Sequence, residues 1–195
     1  MTGISTTNHD CSSNGMNPSN NPRCTGVDET LSSNDPNRHA SHLLQSRVGR
    51  EKQRYDGNTR LLVCIVVSRR RFGTGVDEFL LISSSKDETQ WIIPKGGWEN
   101  DESAVESALR EADEEAGVMG DIVGSLGSLD FLSQQGKPCR FYGFKLLVTD
   151  VYEHWAEKTR KRKWVLFNEA CELLKHRPEL VEMMSQHVQE GGSFE

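Results

Sequence analysis

The density of apolar positions changes abruptly along the chain. In residues 1–40 the sizeable aliphatic side chains are Met1, Ile4, Met16, Val27 and Leu31, scattered among Ser, Thr, Asn, Gly and Pro. A segment so poor in apolar surface cannot offset the entropy of ordering it. Residues 1–50 therefore read as a disordered Ser/Asn-rich tail, and residues 51–190 as the folded domain. Within that domain, residues 60–68 carry Leu, Val, Ile and Cys without strict alternation, which predicts a strand buried on both faces. Residues 69–77, with Gly73 and Gly75, read as a loop. Residues 78–84 then form a second strand, hairpinned on the first. Trp91-Ile92-Ile93 is a short strand stopped by Pro94 and the Gly96-Gly97 pair.

The apolar period then switches to that of a helix. Val105, Ala108, Leu109, Ala112 and Ala116 fall on one stripe at about 100° per residue. Ser103 and Glu106 are spaced as a capping box before it, and Gly117 suits its C-cap. Residues 121–126, 128–133 and 140–148 read as strands separated by Gly-bearing turns, and Trp164-Val165-Leu166-Phe167 as another. Asn168 is placed to cap a helix over 169–175, and Pro178 to open a last helix to about His187. Strands, a central helix, more strands and C-terminal helices make a layered α+β or α/β domain with a mixed sheet.

Composition adds little to this picture until charge is placed on it. The 195 residues include 23 basic and 29 acidic side chains, a formal charge of −6. The longest apolar run, residues 61–67, is far shorter than the about 20 residues that span a bilayer, so no membrane-spanning helix is expected. Five cysteines without a CxxC pair point to a reducing compartment, cytoplasmic or nuclear. The Ser/Thr-rich tail leaves targeting to an organelle open. Two basic runs, Arg69-Arg70-Arg71 and residues 158–163, interrupt the acidic total.

The central helix carries Glu111, Glu114 and Glu115 within about a 100° arc. Like charges at i, i+3 and i, i+4 repel, and the C-terminal half of a helix disfavours them further. A solvated acidic face would tolerate that cost. A hard divalent cation would remove it, and Mg²⁺ prefers carboxylate and phosphate oxygens. The surrounding spacing favours the second reading. Gly96, five residues, Glu102, seven residues, Arg110-Glu111-Ala112, then Glu114-Glu115, Gly117 and Val118 is closely similar to the Nudix box. The resemblance implies a Nudix fold, a mixed β-sheet sandwiched between helices (α/β/α). It also implies hydrolysis of phosphoanhydrides with Mg²⁺, or Mn²⁺ in its place. In that scheme Glu111, Glu115 and the Gly96 carbonyl hold the metal and Glu114 is the catalytic base. Glu102 and Arg110 brace the loop–helix–loop, which Gly117 closes.

The flanks refine the resemblance. Arg54-Tyr55-Asp56-Gly57, Ser83-Ser84-Ser85-Lys86, residues 91–99, Trp155 with the basic run after it, and His176-Arg177-Pro178 resemble the diphosphoinositol polyphosphate phosphohydrolase family. Lys95-Gly96-Gly97, where animal members carry three glycines, is similar to fungal and plant members. The implied substrate is a small ring crowded with phosphates. The residues that would contact it are Arg54, Arg60, Ser84, Ser85, Lys86, Lys95, Gly97, Lys137, Arg140, Arg160 and Arg177, since guanidinium and ammonium groups bind phosphate through charge-assisted hydrogen bonds. An extended chain before Trp164 would put Arg160 and Arg162 on one face and Lys161 and Lys163 on the other. Trp98 reads either as a packed loop aromatic or as a platform for a nucleobase. Three functions stay open: a diphosphoinositol polyphosphate hydrolase, a hydrolase of diadenosine polyphosphates or capped RNA, and a non-catalytic polyphosphate- or RNA-binding module. The expected partner is a small phosphate-rich molecule, with RNA less favoured and the oligomeric state undetermined.

Overall fold

The structure, a computed structural model, describes residues 45–189. The tail expected over residues 1–50 lies, up to residue 44, outside the described residues. Strands β1 (Tyr55–Asp56), β2 (Thr59–Arg70), β3 (Asp77–Ser83), β4 (Trp91–Ile92) and β5 (Lys95–Gly97) precede helix α1 (Ala104–Ala116). Strands β6 (Val118–Leu132), β7 (Pro138–Val151) and β8 (Arg162–Val165) follow, then helices α2 (Phe167–Leu174) and α3 (Pro178–Gln189).

One mixed sheet runs in the order β4-β3-β2-β7-β6. Its axis is β2, buried from Leu61 to Ser68 and packed against both α1 and α3. One edge of β2 pairs in parallel with β7, Leu61 opposite Arg140 and Ser68 opposite Leu147. The other edge is shared. Its far end pairs antiparallel with β3, as the hairpin reading required, while Leu62, Val63 and Cys64 pair with Gly97, Gly96 and Lys95 of β5. That fork places the loop before α1 directly against the central strand.

Three local readings are corrected. The two strands expected over 121–126 and 128–133 are one strand, β6; Gly127, at φ 75°, makes a bulge in it rather than a turn. Asn168 does not cap α2: the helix starts at Phe167, whose ring packs edge-on against Phe79 at 6.0 Å, and the N-cap position is Leu166. Val105 is exposed, and buried Ser107 takes its place on the inner side of α1 beside Ala108, Ala112 and Ala116. The Ser103/Glu106 capping box forms, and Gly117 closes α1 at φ 59°.

Candidate active site

Helix α1 buries its acids. Glu111, Glu114 and Glu115 are only 8%, 6% and 6% exposed, which removes the solvated-face reading. Each has a positive neighbour. Arg110 donates from Nη1 to Glu111 at 2.8 Å and, longer, to Glu114 at 3.5 Å. Arg160 Nη2 donates to Glu115 at 2.7 Å, and the Lys95 main-chain N–H donates to the other Glu115 oxygen at 2.9 Å. Burial disfavours the charged form of these carboxyls. It pushes Glu111 up to about 7, helped by the nearby Glu115 carboxylate and opposed by Arg110. Burial also raises Glu115 against the pull of Lys95 and Arg160, and Glu114 against the pull of Arg110.

The brace predicted beside them is present. Arg110 Nε and Nη2 grip both oxygens of Glu102 at 2.9 and 2.7 Å, and Nη2 also donates to the Gly97 carbonyl at 3.0 Å. Burial works against ionised Glu102, but Arg110 and the Glu99 N–H outweigh it and hold the carboxyl below its usual range. Gly96 and Gly97 lie close against side-chain ends. A Cβ at Gly96 would lie 2.0 Å from the Glu111 carboxyl, and one at Gly97 2.3 Å from Gln53 Oε1. At the far end of α1, Arg162 Nη1 donates to the carbonyls of Ala116 and Gly117 at 3.1 and 3.3 Å and stacks 4.0 Å from the Trp155 ring. This cation offsets the unfavourable helix terminus.

The donor set suits a hard cation. Glu111 and Glu115 are buried, mutually repelling carboxylates on one helix, an arrangement that a divalent ion would relieve. Among the described residues, no three acidic, His or Cys side chains already converge as a ready cage. Arg110 instead lies between Glu111 and Glu114, and Arg160 holds Glu115.

Lys95 and Gly96 also line a cleft of about 510 Å³. Six cations line it, namely Arg50, Arg60, Lys86, Lys95, Lys137 and Arg177, and no Asp or Glu does. Ser84 and Ser85 also line it, together with Tyr55 and the stacked Phe131–Phe141 pair, whose ring centroids are 4.4 Å apart.

Of the predicted phosphate contacts, Arg60, Ser84, Ser85, Lys86, Lys95, Lys137 and Arg177 thus gather in one cleft. Arg54, Arg140, Arg160 and Gly97 do not line it. Arg54 lies over the Trp98 ring at 4.5 Å and donates to the carbonyls of Glu99, Asn100 and Glu102. Arg140 pairs with Asp130 at 2.6 Å and Asp56 at 3.1 Å. Arg160 is buried, with all three nitrogens engaged by Glu115, Glu157 and the Ser83 carbonyl. Arg160 and Arg162 do turn to one side, but that side is the end of α1. Trp98 is a packed loop aromatic: its Nε1 donates to the Glu102 carbonyl at 3.0 Å and its ring meets Tyr142 edge-on. Sequence reasoning missed Arg50, Tyr55, Asn58, Gln90, Gln134 and Gln135, which also line the cleft. Their only signal was proximity in sequence to residues that were found.

A model of the NUDIX domain family matches residues 58–186, and the chain belongs to this family of hydrolases of phosphoanhydride bonds. "Nudix hydrolase 21, chloroplastic" of Arabidopsis thaliana is 43% identical over 134 residues, 67% of this chain and 68% of that protein. Diphosphoinositol polyphosphate phosphohydrolase 3-beta of Bos taurus is 39% identical over 121 residues, 60% of this chain and 72% of that protein. Among solved structures, a NUDIX hydrolase from Nitrosomonas europaea aligns with a TM-score of 0.58 over 68% of this chain and 90% of that chain. At 16% identity this likeness shows the fold.

Proposed function

We propose that the protein hydrolyses phosphoanhydride bonds of diphosphoinositol polyphosphates in a metal-dependent reaction. The observation that carries the reading is the cleft, which presents six cations and no carboxylate next to a wall of buried glutamates. A ring bearing many phosphates needs such a surface, because each cation supplies a charge-assisted bond and no acid repels the ligand. The relative from Bos taurus, by its name, acts on this class.

In this reading Glu111, Glu115 and the Gly96 carbonyl hold a divalent cation, Mg²⁺ or Mn²⁺. The ion would neutralise charge on the phosphate oxygens and lower the pKa of a water. The chain's own residues do the rest. The cleft cations orient the polyphosphate so that its terminal anhydride meets the Lys95–Gly96 wall. Glu114, the least tightly held of the three acids and raised by burial, takes a proton from the attacking water. A P–O bond forms to that water, the anhydride P–O bond breaks, and the departing phosphate carries the electron pair. Arg110 and Glu102 keep α1 and its loop in register. Arg160 holds Glu115 in place rather than binding substrate.

A second reading has its own support. Tyr55 and the Phe131–Phe141 stack give the cleft an apolar side on which a base could lie, which suits a diadenosine polyphosphate. A hydrolysis panel with Mg²⁺ separates the readings: a diphosphoinositol polyphosphate, diadenosine hexaphosphate, ADP-ribose and capped RNA. The first is expected to turn over with the highest kcat/KM. Glu114→Gln is expected to lower kcat by about 10²–10⁴-fold without altering the fold. Binding without turnover of any of them would move the protein to the non-catalytic class, and wild-type turnover by Glu114→Gln would remove Glu114 as the base.

A further inference from the structure

Residues 46–50 precede the family domain and yet touch both halves of the site. Ser46 Oγ donates to Glu157 at 3.2 Å, and the Arg47 main-chain N–H donates to Glu114 Oε2 at 3.4 Å. The Arg47 guanidinium turns to the loop before α1, where it pairs with Glu99, with Asp101 at 3.2 Å and with Glu102 at 3.8 Å. Lys52 adds a second tie to Asp101 at 2.7 Å. Between these ties the chain bends at Gly49, φ 104°, a conformation that L side chains rarely adopt. The bend separates two arginines of opposite fate. Arg47 is held on acids, whereas Arg50 lines the cleft with no side-chain partner among the described residues.

We propose that Arg50 is a phosphate-binding residue that sets the preference of the cleft for highly charged substrates, and that Arg47 is the clamp that positions it. The proposal rests on the reading of the cleft as a polyanion site. It is supported by the setting of Arg50, which lines the same cleft as Arg60. Arg60 is pulled below its ordinary value first by burial and then by the charge of Arg50. Two guanidiniums with no anion between them repel, and a phosphate bridging them would turn that repulsion into attraction. The acidic loop has the converse role: with Glu102 already gripped by Arg110, Glu99 and Asp101 remain to hold Arg47. The strap thus completes the cleft from outside the family domain.

Binding of inositol hexakisphosphate, which contains no anhydride, tests this by calorimetry on the full chain without metal. Arg50→Ala is expected to weaken binding at least about tenfold, the scale of one charge-assisted hydrogen bond. Arg47→Ala is expected to weaken it to a similar extent and to speed tryptic cleavage after Arg50. The double variant is expected to bind no worse than Arg50→Ala alone, because a clamp acts only through the residue it holds. Thermal unfolding of each variant reports whether it is folded. If Lys86→Ala loses affinity while Arg50→Ala binds as the wild type does, the strap proposal is overturned and the cleft reading stands. If both variants bind as the wild type does, the cleft reading falls and takes the proposal with it. Losses from Arg47→Ala and Arg50→Ala that simply add would overturn the clamp.

Discussion

The two charged regions of this site follow opposite rules. Around α1 the buried acids are answered: Glu111 by Arg110, Glu115 by Arg160 and the Lys95 N–H, Glu114 more loosely by Arg110, and Glu102, in the loop before the helix, by both ends of the Arg110 fork. Among the described residues Arg177 alone of the cleft cations has a carboxylate partner, Glu179 at 2.6 Å, and the others are left unanswered. Arg50, Lys86, Lys95 and Lys137 line it without a carboxylate partner among the described residues. A paired charge is part of the scaffold; an unpaired one, held where nothing neutralises it, is available to a ligand. The lesson is that partner, not residue type, decides what an arginine or lysine does here. Arg140 and Arg160 carry the same group as Arg60 and are occupied elsewhere.

The comparison breaks most visibly at Arg160. Arg160→Met leaves Glu115 buried without its counter-ion and is expected to cost about 3–5 kcal/mol in urea unfolding, with much of it recovered in Arg160→Met/Glu115→Gln. A loss under about 1 kcal/mol would show that the pair is not structural. Glu111 gives the next effect, and its sign follows from its raised carboxyl. The folded protein keeps a proton that the unfolded chain has released, so the metal-free protein loses stability as pH rises from about 4.5 to about 7. The contribution is at most about 3.4 kcal/mol. Glu111→Gln is expected to flatten the slope in EDTA, and an unchanged slope would place the linkage elsewhere.

In the cleft, Lys86→Ala and Lys137→Ala are each expected to weaken inositol hexakisphosphate binding by about 1.5–3 kcal/mol, with a shallower dependence on salt. Equal salt slopes before and after would mean that these lysines do not meet the ligand. The smallest effect sharpens the contrast. Arg140→Ala removes an exposed ion pair of about 0–1 kcal/mol and is expected to leave the same binding within about twofold. A larger loss would return Arg140 to the cleft.

Much of this was legible in the chain because it rests on local rules. The capping box, the αL glycine after Ala116 and the doubly buried β2 each follow from a few adjacent residue types. The spacing of Glu102, Arg110, Glu111, Glu114 and Glu115 carried the acidic half of the site. What failed needed tertiary facts. Gly127 signals a turn, but thirteen registered pairs between β6 and β7 run through it, and a bulge absorbs the glycine. Asn168 has a capping side chain, but Phe167 packing on Phe79 starts the helix two residues early. Arg54, Arg140 and Arg160 looked like ligand contacts because nothing in sequence shows that Trp98, Asp130 and Glu115 await them. Arg47 and Arg50 fell inside the stretch read as tail, where low apolar content hid an electrostatic attachment.

The arginine pairing on α1 has a consequence for how such a protein matures. Because Arg110 and Arg160 act as built-in counter-ions, the chain carries its own charge balance to the end of folding. A divalent cation held as proposed by Glu111 and Glu115 would compete with Arg110 and Arg160, which are already bonded to them.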